Sequence, residues 1–144
     1  MPSKATVASI WAVWPLFCIF MVLTMISFAE EGYCTWYSIA SATKEGTYTK
    51  YNGLTANGEK FNENAFTCAR RSHEFGGLYQ VCTTDGHIRC VVVRHNDFGV
   101  SRKYYNRGVV IDLTPHAFQQ LAPLKRGRIR VVVMELSHNS HGGQ

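Results

Sequence analysis

Residues 77–95 read GLYQVCTTDGHIRCVVVRH, and this stretch decides the fold. Gly77 to Thr84 is β-prone, Asp85-Gly86 is a strong two-residue hairpin signal, and Ile88 to His95 returns as the next strand. Before it, the aromatic run Tyr33 to Ile39 reads as a first strand. Residues 44–60 are rich in Gly, Thr, Asn and Tyr without a helical period and read as loop. After it, Val109 to Leu113 is a short apolar strand, and Ile129 to Leu136 (IRVVVMEL) is the last. Between them Thr114 is a suitable N-cap and Pro115 sits at the first helical position. Phe118, Leu121 and Ala122 give that helix one apolar side. Several short strands, one brief helix and no βαβ alternation predict a small closed β-barrel. VVVRHND and RVVVMEL read as pseudo-equivalent strands of a doubled motif.

The length, 144 residues, fits one domain at roughly 100–200 residues per domain. With 17% charged and 46% hydrophobic residues the chain is neither intrinsically disordered nor a coiled coil, and its glycines follow no collagen period. The formal charge of +5 suits an anionic partner: nucleic acid, anionic lipid or anionic cell-wall glycan. The basic residues form no long run, so charge selects none of the three, and a solvated basic surface accounts for it equally well.

Residues 1–29 read as a leader. Lys4 is the only charge before Glu30, and an apolar stretch from Ile10 to Phe28 ends at the small-x-small exit Ser27-Phe28-Ala29. That pattern predicts a secretory signal peptide cleaved after Ala29. Its length also allows an uncleaved anchor, since about 18 apolar residues can span a bilayer. Cys18 follows Leu16-Phe17 and lacks the small residues that lipidation requires. Either way residues 30–136 are expected outside the cytoplasm, in the periplasm or cell envelope or secreted, followed by a disordered polar tail at 137–144. Four cysteines remain beyond the leader: Cys34, Cys68, Cys82 and Cys90. An even number in an exported domain reads as two disulfides, with three pairings open. No Cys-x-x-Cys pair exists, so a zinc site is not expected, and His138 and His141 of the tail are not read as ligands.

Several segments together resemble a known family. Tyr33-Cys34-Thr35-Trp36-Tyr37 resembles A-S-W-Y, and TANGEKFN at 55–62 matches T-A-N-G-E-x-F-[ND]. Phe75-Gly76 falls at a P-F-G-T turn, Val93 to Gly99 resembles V-R-V-N-D-R-G, and Val110 to Thr114 resembles I-I-D-L-S. In order and spacing, Tyr33 to Leu136 is similar to the rare lipoprotein A family, whose relatives include expansins, barwin and some endoglucanases. The resemblance implies a mainly β, six-stranded double-psi β-barrel with one or two short helices. It also implies endolytic lytic transglycosylase chemistry on peptidoglycan glycan strands stripped of stem peptides, with a 1,6-anhydro product and no cofactor. The expected partner is the glycan strand rather than nucleic acid, with membrane contact only through an uncleaved leader and the domain a monomer. The family's lipid anchor and C-terminal glycan-binding repeat are not expected here.

The resemblance places activity on Glu59 and Asp97. A family histidine falls on Arg70, which stays protonated and exchanges no proton. Phe98 stands where Arg is usual and Val100 where Pro is usual, and the stretch from Asp97 to Asp112 is longer than the family pattern. Glycosidic cleavage needs an acid for the leaving oxygen and an anionic group near the oxocarbenium-like centre. A transglycosylase acid, once deprotonated, can take the proton of the sugar's own C6 hydroxyl. Asp97 is the expected acid/base and Glu59 its partner, both opening into one groove. By spacing alone, Asp97 reads as a turn cap and Glu59 as a surface acid. Substrate contacts are expected from Arg70, Asp112, Asn57 and Tyr51. For Asp112, a secondary site, the resemblance allows a catalytic as well as a substrate-binding role, and by position alone it bonds backbone amides at the helix start. Tyr37, Tyr48, Tyr104 and Tyr105 suit sugar faces, and Arg94 and Arg102 suit carboxylates, but for any one of them the plainer role, core for Tyr37 and solvated for the arginines, is the better reading.

Barwin-like positions suggest the pairs Cys68–Cys82 and Cys34–Cys90, with a Cys82–Cys90 hairpin bridge as the alternative. The interlocked psi loops are expected near Asp85-Gly86 and Val109 to Thr114. The expected core is Val81, Val91, Val93, Val110, Leu113, Phe118, Leu121, Val131 and Val133. A non-catalytic, expansin-like glycan-binding or wall-loosening module is the alternative function; a toxin or inhibitor is a weaker third.

Overall fold

A computed structural model describes residues 29–137. The leader's apolar stretch, His138 and His141 lie outside these residues. Six strands form a closed barrel: β1 (Ala29–Trp36), β2 (Thr67–Arg70), β3 (Leu78–Thr83), β4 (Cys90–Phe98), β5 (Val109–Leu113) and β6 (Ile129–Ser137). Their order around the wall is β1-β5-β2-β4-β3-β6. Four short helices decorate it: α1 (Ile39–Lys44), α2 (Thr47–Lys50), α3 (Arg102–Tyr105) and α4 (Pro115–Gln119).

This order makes the barrel double-psi. β5 lies between β1 and β2, while β2 lies between β4 and β5. The connections closing the two psi units are therefore residues 37–66 and 99–108. The Asp85-Gly86 turn, expected near a psi loop, is instead the plain β3–β4 hairpin. Exchanging β1 with β4, β2 with β5 and β3 with β6 leaves every pairing and its direction unchanged. The pseudo-equivalent of VVVRHND in β4 is thus β1; RVVVMEL in β6 corresponds to β3.

Strand alternation fills the interior. Val81, Val91, Val93, Leu113, Phe118, Leu121, Val131 and Val133 are buried as expected. Val110 is only partly buried. In VVIDL the inward positions are Val109, Ile111 and Leu113, so Val110 and Asp112 face outward. Val110 packs on Gly32 instead: a Cβ there would lie 2.6 Å from Val110 Cγ1. The first strand ends at Trp36 rather than Ile39, because a capping box formed by Ser38 and Ser41 starts α1.

The same alternation corrects the disulfides. The bond is Cys82–Cys90, between directly paired residues of the hairpin with Cα atoms 4.1 Å apart. Both cysteines lie on the outer face, alternating with buried Val81 and Val91. Cys34 and Cys68 are free thiols, fully buried inside the barrel. The wall separates the two sets, so neither Cys68–Cys82 nor Cys34–Cys90 can form. Nor do the inner two pair with each other. β5 runs between their strands, putting their backbones about 9–10 Å apart, beyond the reach of a disulfide.

Candidate active site

The site lies where the TANGE turn meets the end of β4. Thr55 N–H donates to Glu59 O at 2.8 Å, and Gly58, at φ +90°, completes the turn. Asn57 organises it from within: its Oδ1 accepts from Thr55 Oγ1 at 2.7 Å and from Glu59 N–H at 3.1 Å. Two backbone donors of the turn then clip onto β4. Asn57 N–H bonds Asn96 O at 3.1 Å, and Ala56 N–H bonds Asp97 Oδ1 at 2.9 Å.

Asp97 Oδ1 also accepts from Phe98 N–H at 2.9 Å, and Oδ2 accepts from the Tyr37 hydroxyl at 3.3 Å. Tyr37 is held by stacking on Phe61, the aromatic residue of TANGEKFN, with centroids 4.8 Å apart. Burial pushes the Asp97 carboxyl above its ordinary value, while the three donors pull it back.

Glu59 is differently placed. Arg94 grips it through two bonds of 2.7 Å, and Asn57 and Asn96 donate to it at 2.9 and 3.1 Å. These donors, Arg94 foremost, pull its carboxyl down to about 2, against desolvation, which is the next-largest influence. Glu59 is a fixed carboxylate that accepts hydrogen bonds and has no proton to give.

The partner with a raised proton affinity is Asp112. Strand register aligns Thr35 of β1 with Asp112 of β5, Asp112 with Ala69 of β2, and Ala69 with Asp97 of β4. The two aspartates therefore flank the single methyl group of Ala69 on the outer face of the wall, one strand apart on either side. Thr35 Oγ1 donates to Asp112 Oδ1 at 2.9 Å. Burial pushes the Asp112 carboxyl up to about 7, and the charges of Glu45 and Asp97 add to it. Gly99 closes over Ala69, where a Cβ would come within 2.6 Å of the Ala69 Cβ.

Arg70 lies on the opposite face from Ala69. It pairs with Glu30 at 2.6 Å and lies over the Tyr79 ring at 4.4 Å. Tyr51 is exposed at the end of α2 with Lys50 over its ring, and bonds neither aspartate. Thr35 and Tyr37 were given no polar role by sequence, although their spacing of two along YCTWY puts both on the outer face. Beside Asp97, exposed Phe98 stacks on His73 with centroids 4.3 Å apart. Val100 adopts φ +61°, a conformation closed to the proline usual in the resembled family.

The sequence model of the lytic transglycolase family matches residues 30–133. The chain belongs to this family. Among curated relatives, it is 31% identical over 145 residues to the probable endolytic peptidoglycan transglycosylase RlpA of Treponema pallidum. That alignment covers 100% of this chain and 40% of the relative. It is 32% identical over 114 residues to RlpA of Rickettsia felis, covering 79% and 45%. The chain thus spans under half the length of these relatives. Among solved structures it resembles the Streptomyces papain inhibitor, with a TM-score of 0.53, 22% identity, and 77% and 96% of the two chains covered. It also resembles a Clavibacter michiganensis expansin in complex with cellohexaose, with a TM-score of 0.52, 17% identity, and 76% and 51% covered. These structural likenesses establish the double-psi fold.

Proposed function

We propose that this domain is a peptidoglycan lytic transglycosylase acting in the cell envelope on glycan strands stripped of stem peptides. The observation that carries the reading is the row Thr35–Asp112–Ala69–Asp97, which sets two carboxyls of different proton affinity on one outer face. Pairs of acids held apart in pKa divide the roles of donor and acceptor. Asp112, at about 7, carries the proton at mildly acidic pH and is the general acid. Asp97, holding three donors, serves as the carboxylate. This moves the proton donor from Asp97, where sequence placed it, to Asp112.

In the step itself the C1–O4 glycosidic bond breaks and O4 takes the Asp112 proton. The C6 hydroxyl oxygen bonds to C1, giving the 1,6-anhydro ring, and its proton passes to Asp97. No water is consumed. The return of that proton from Asp97 to Asp112 runs toward the group that holds it more tightly, so the resting state re-forms. Glu59, locked by Arg94, Asn57 and Asn96, fixes the turn whose Ala56 N–H holds Asp97. Arg70 braces Glu30 at the start of β1, and Asn57 shapes the turn.

A glycan-binding module without turnover is the second reading, favoured by Glu59 being committed to Arg94. Mass spectrometry of stripped glycan strands after incubation decides between them. Anhydro ends that vanish in Asp112→Asn and Asp97→Asn support the enzyme. Co-sedimentation with sacculi and no new ends would support the binder.

A further inference from the structure

His95 is fully buried on β4, two residues before Asp97. Its two ring nitrogens both face backbone carbonyl oxygens: Nδ1 lies 3.1 Å from Glu74 O, and Nε2 lies 2.9 Å from Asp97 O. Carbonyls only accept, and a neutral imidazole carries one N–H, so only the imidazolium donates to both. In the neutral ring one nitrogen lone pair faces an oxygen at hydrogen-bond distance. The backbone around the ring is tightly held: Gly76 N–H donates to His95 O at 2.8 Å, and His95 N–H donates to Gly77 O at 2.9 Å.

The local register explains the arrangement. Cys68 pairs with His95 and Ala69 with Asp97, so Asn96 is an extra residue on β4, a β-bulge. The bulge buries both His95 and Asn96 and turns Asp97 outward. The bond from Nε2 to Asp97 O spans this bulge, and the bond from Nδ1 joins it to the turn before β3. The resembled family motif V-R-V-N-D-R-G carries valine where this chain has His95.

We propose that His95, as the imidazolium, is a positioning residue that staples the β4 bulge to the 74–77 turn and so fixes Asp97 for catalysis. Its effect on turnover rests on the transglycosylase reading above; the staple itself does not. Around the ring, Arg70 of β2 opposes the second proton, and Asp97 favours it. Glu74 contributes its carbonyl from the turn, and Cys68 of β2 is the lateral neighbour. Tyr79 of β3 lies edge-on with centroids 6.2 Å apart, and Glu135 of β6 pairs with Tyr79. Glu30 of β1 neutralises part of the Arg70 charge. Burial, the largest influence, pulls His95 below its ordinary 6.5 despite both carbonyls. The staple therefore closes on the acid side of that value.

The test is a nitrogen-15 NMR titration of the histidines in the wild-type domain, from about pH 7 to about pH 4.5, the span around an ordinary histidine. Both His95 nitrogens are expected to reach imidazolium shifts together, and the Phe98 and Phe75 amides to follow the same curve. On stripped glycan, the wild-type kcat relative to His95→Gln should rise about tenfold as pH falls through that curve, with KM unchanged. That is less than the roughly 10²-fold cost of a ~1 Å misplacement. A ring that stays neutral in one tautomer throughout overturns the staple, as do amides that ignore its titration. A domain without turnover whose His95 and neighbouring amides titrate together would refute the proposed function while upholding the staple.

Discussion

Replacing Asp112 by Asn keeps the side chain's shape and the oxygen that accepts from Thr35, and removes the ionisable proton. In the unfolded chain this carboxyl titrates at 3.8; in the fold it titrates at about 7. Between those values the folded state binds one proton more than the unfolded chain, so wild-type stability falls as pH rises. At 1.36 kcal/mol per pKa unit, the ionised group costs the fold up to about 4 kcal/mol above pH 7. Asp112→Asn is free of that cost. Urea unfolding should give similar midpoints for the two proteins near pH 4. Near pH 8 the variant should be more stable by several kcal/mol, with the slope m unchanged. Equal differences at both pH values would show that Asp112 ionises normally, and the assignment of the general acid would fall with it.

Asp97→Asn should lower turnover by about 10²–10⁴ while sedimentation with sacculi persists, as loss of acid–base help alone implies. Arg94→Gln should let the Glu59 carboxyl climb from about 2 toward its ordinary 4.5, read by carboxyl carbon NMR. Because that pair is half-exposed, its stability contribution, present above pH 4.5 and lost as pH falls toward 2, should stay under ~1 kcal/mol. Replacing Cys82 and Cys90 together by Ser opens a short loop and should cost about 2–3 kcal/mol by urea unfolding, whereas Cys34→Ser leaves the disulfide intact by mass. Gly99→Ala drives a methyl into Ala69 and should cost about 1–3 kcal/mol and reduce turnover.

The hairpin, β5, β6 and the Thr114-Pro115 helix start were legible because each carries a local signal: a turn dipeptide, an apolar run or a proline at the first helical position, although the Thr114 hydroxyl bonds Ala65 O rather than capping the helix. β2 was not. Thr67–Arg70 has four residues, three of them buried, and no alternation to read. α1 escaped because its capping box uses Ser41 where Glu or Gln would have marked it. In the site, the TANGE and HND segments announced Glu59 and Asp97, but a motif does not say which carboxyl keeps a proton. That depends on Arg94, which lies 35 residues from Glu59 and meets it only through the docking of the turn on β4. The pairing of Asp112 with Thr35 and its alignment with Asp97 arise from two parallel pairings and one antiparallel pairing between distant strands, which no local pattern encodes. The disulfide followed the pairing of Cys82 with Cys90 across the hairpin, a register visible in the turn, while the barwin-like analogy pointed elsewhere.

The central claim is that the sugar's own C6 hydroxyl, rather than water, completes the cleavage between Asp112 and Asp97. The direct measurement is turnover of stripped glycan strands in heavy-oxygen water, with the new ends weighed by mass spectrometry. The account predicts new 1,6-anhydro ends that carry no heavy oxygen. One heavy oxygen per cleaved bond, in ends heavier by a water molecule, would contradict it.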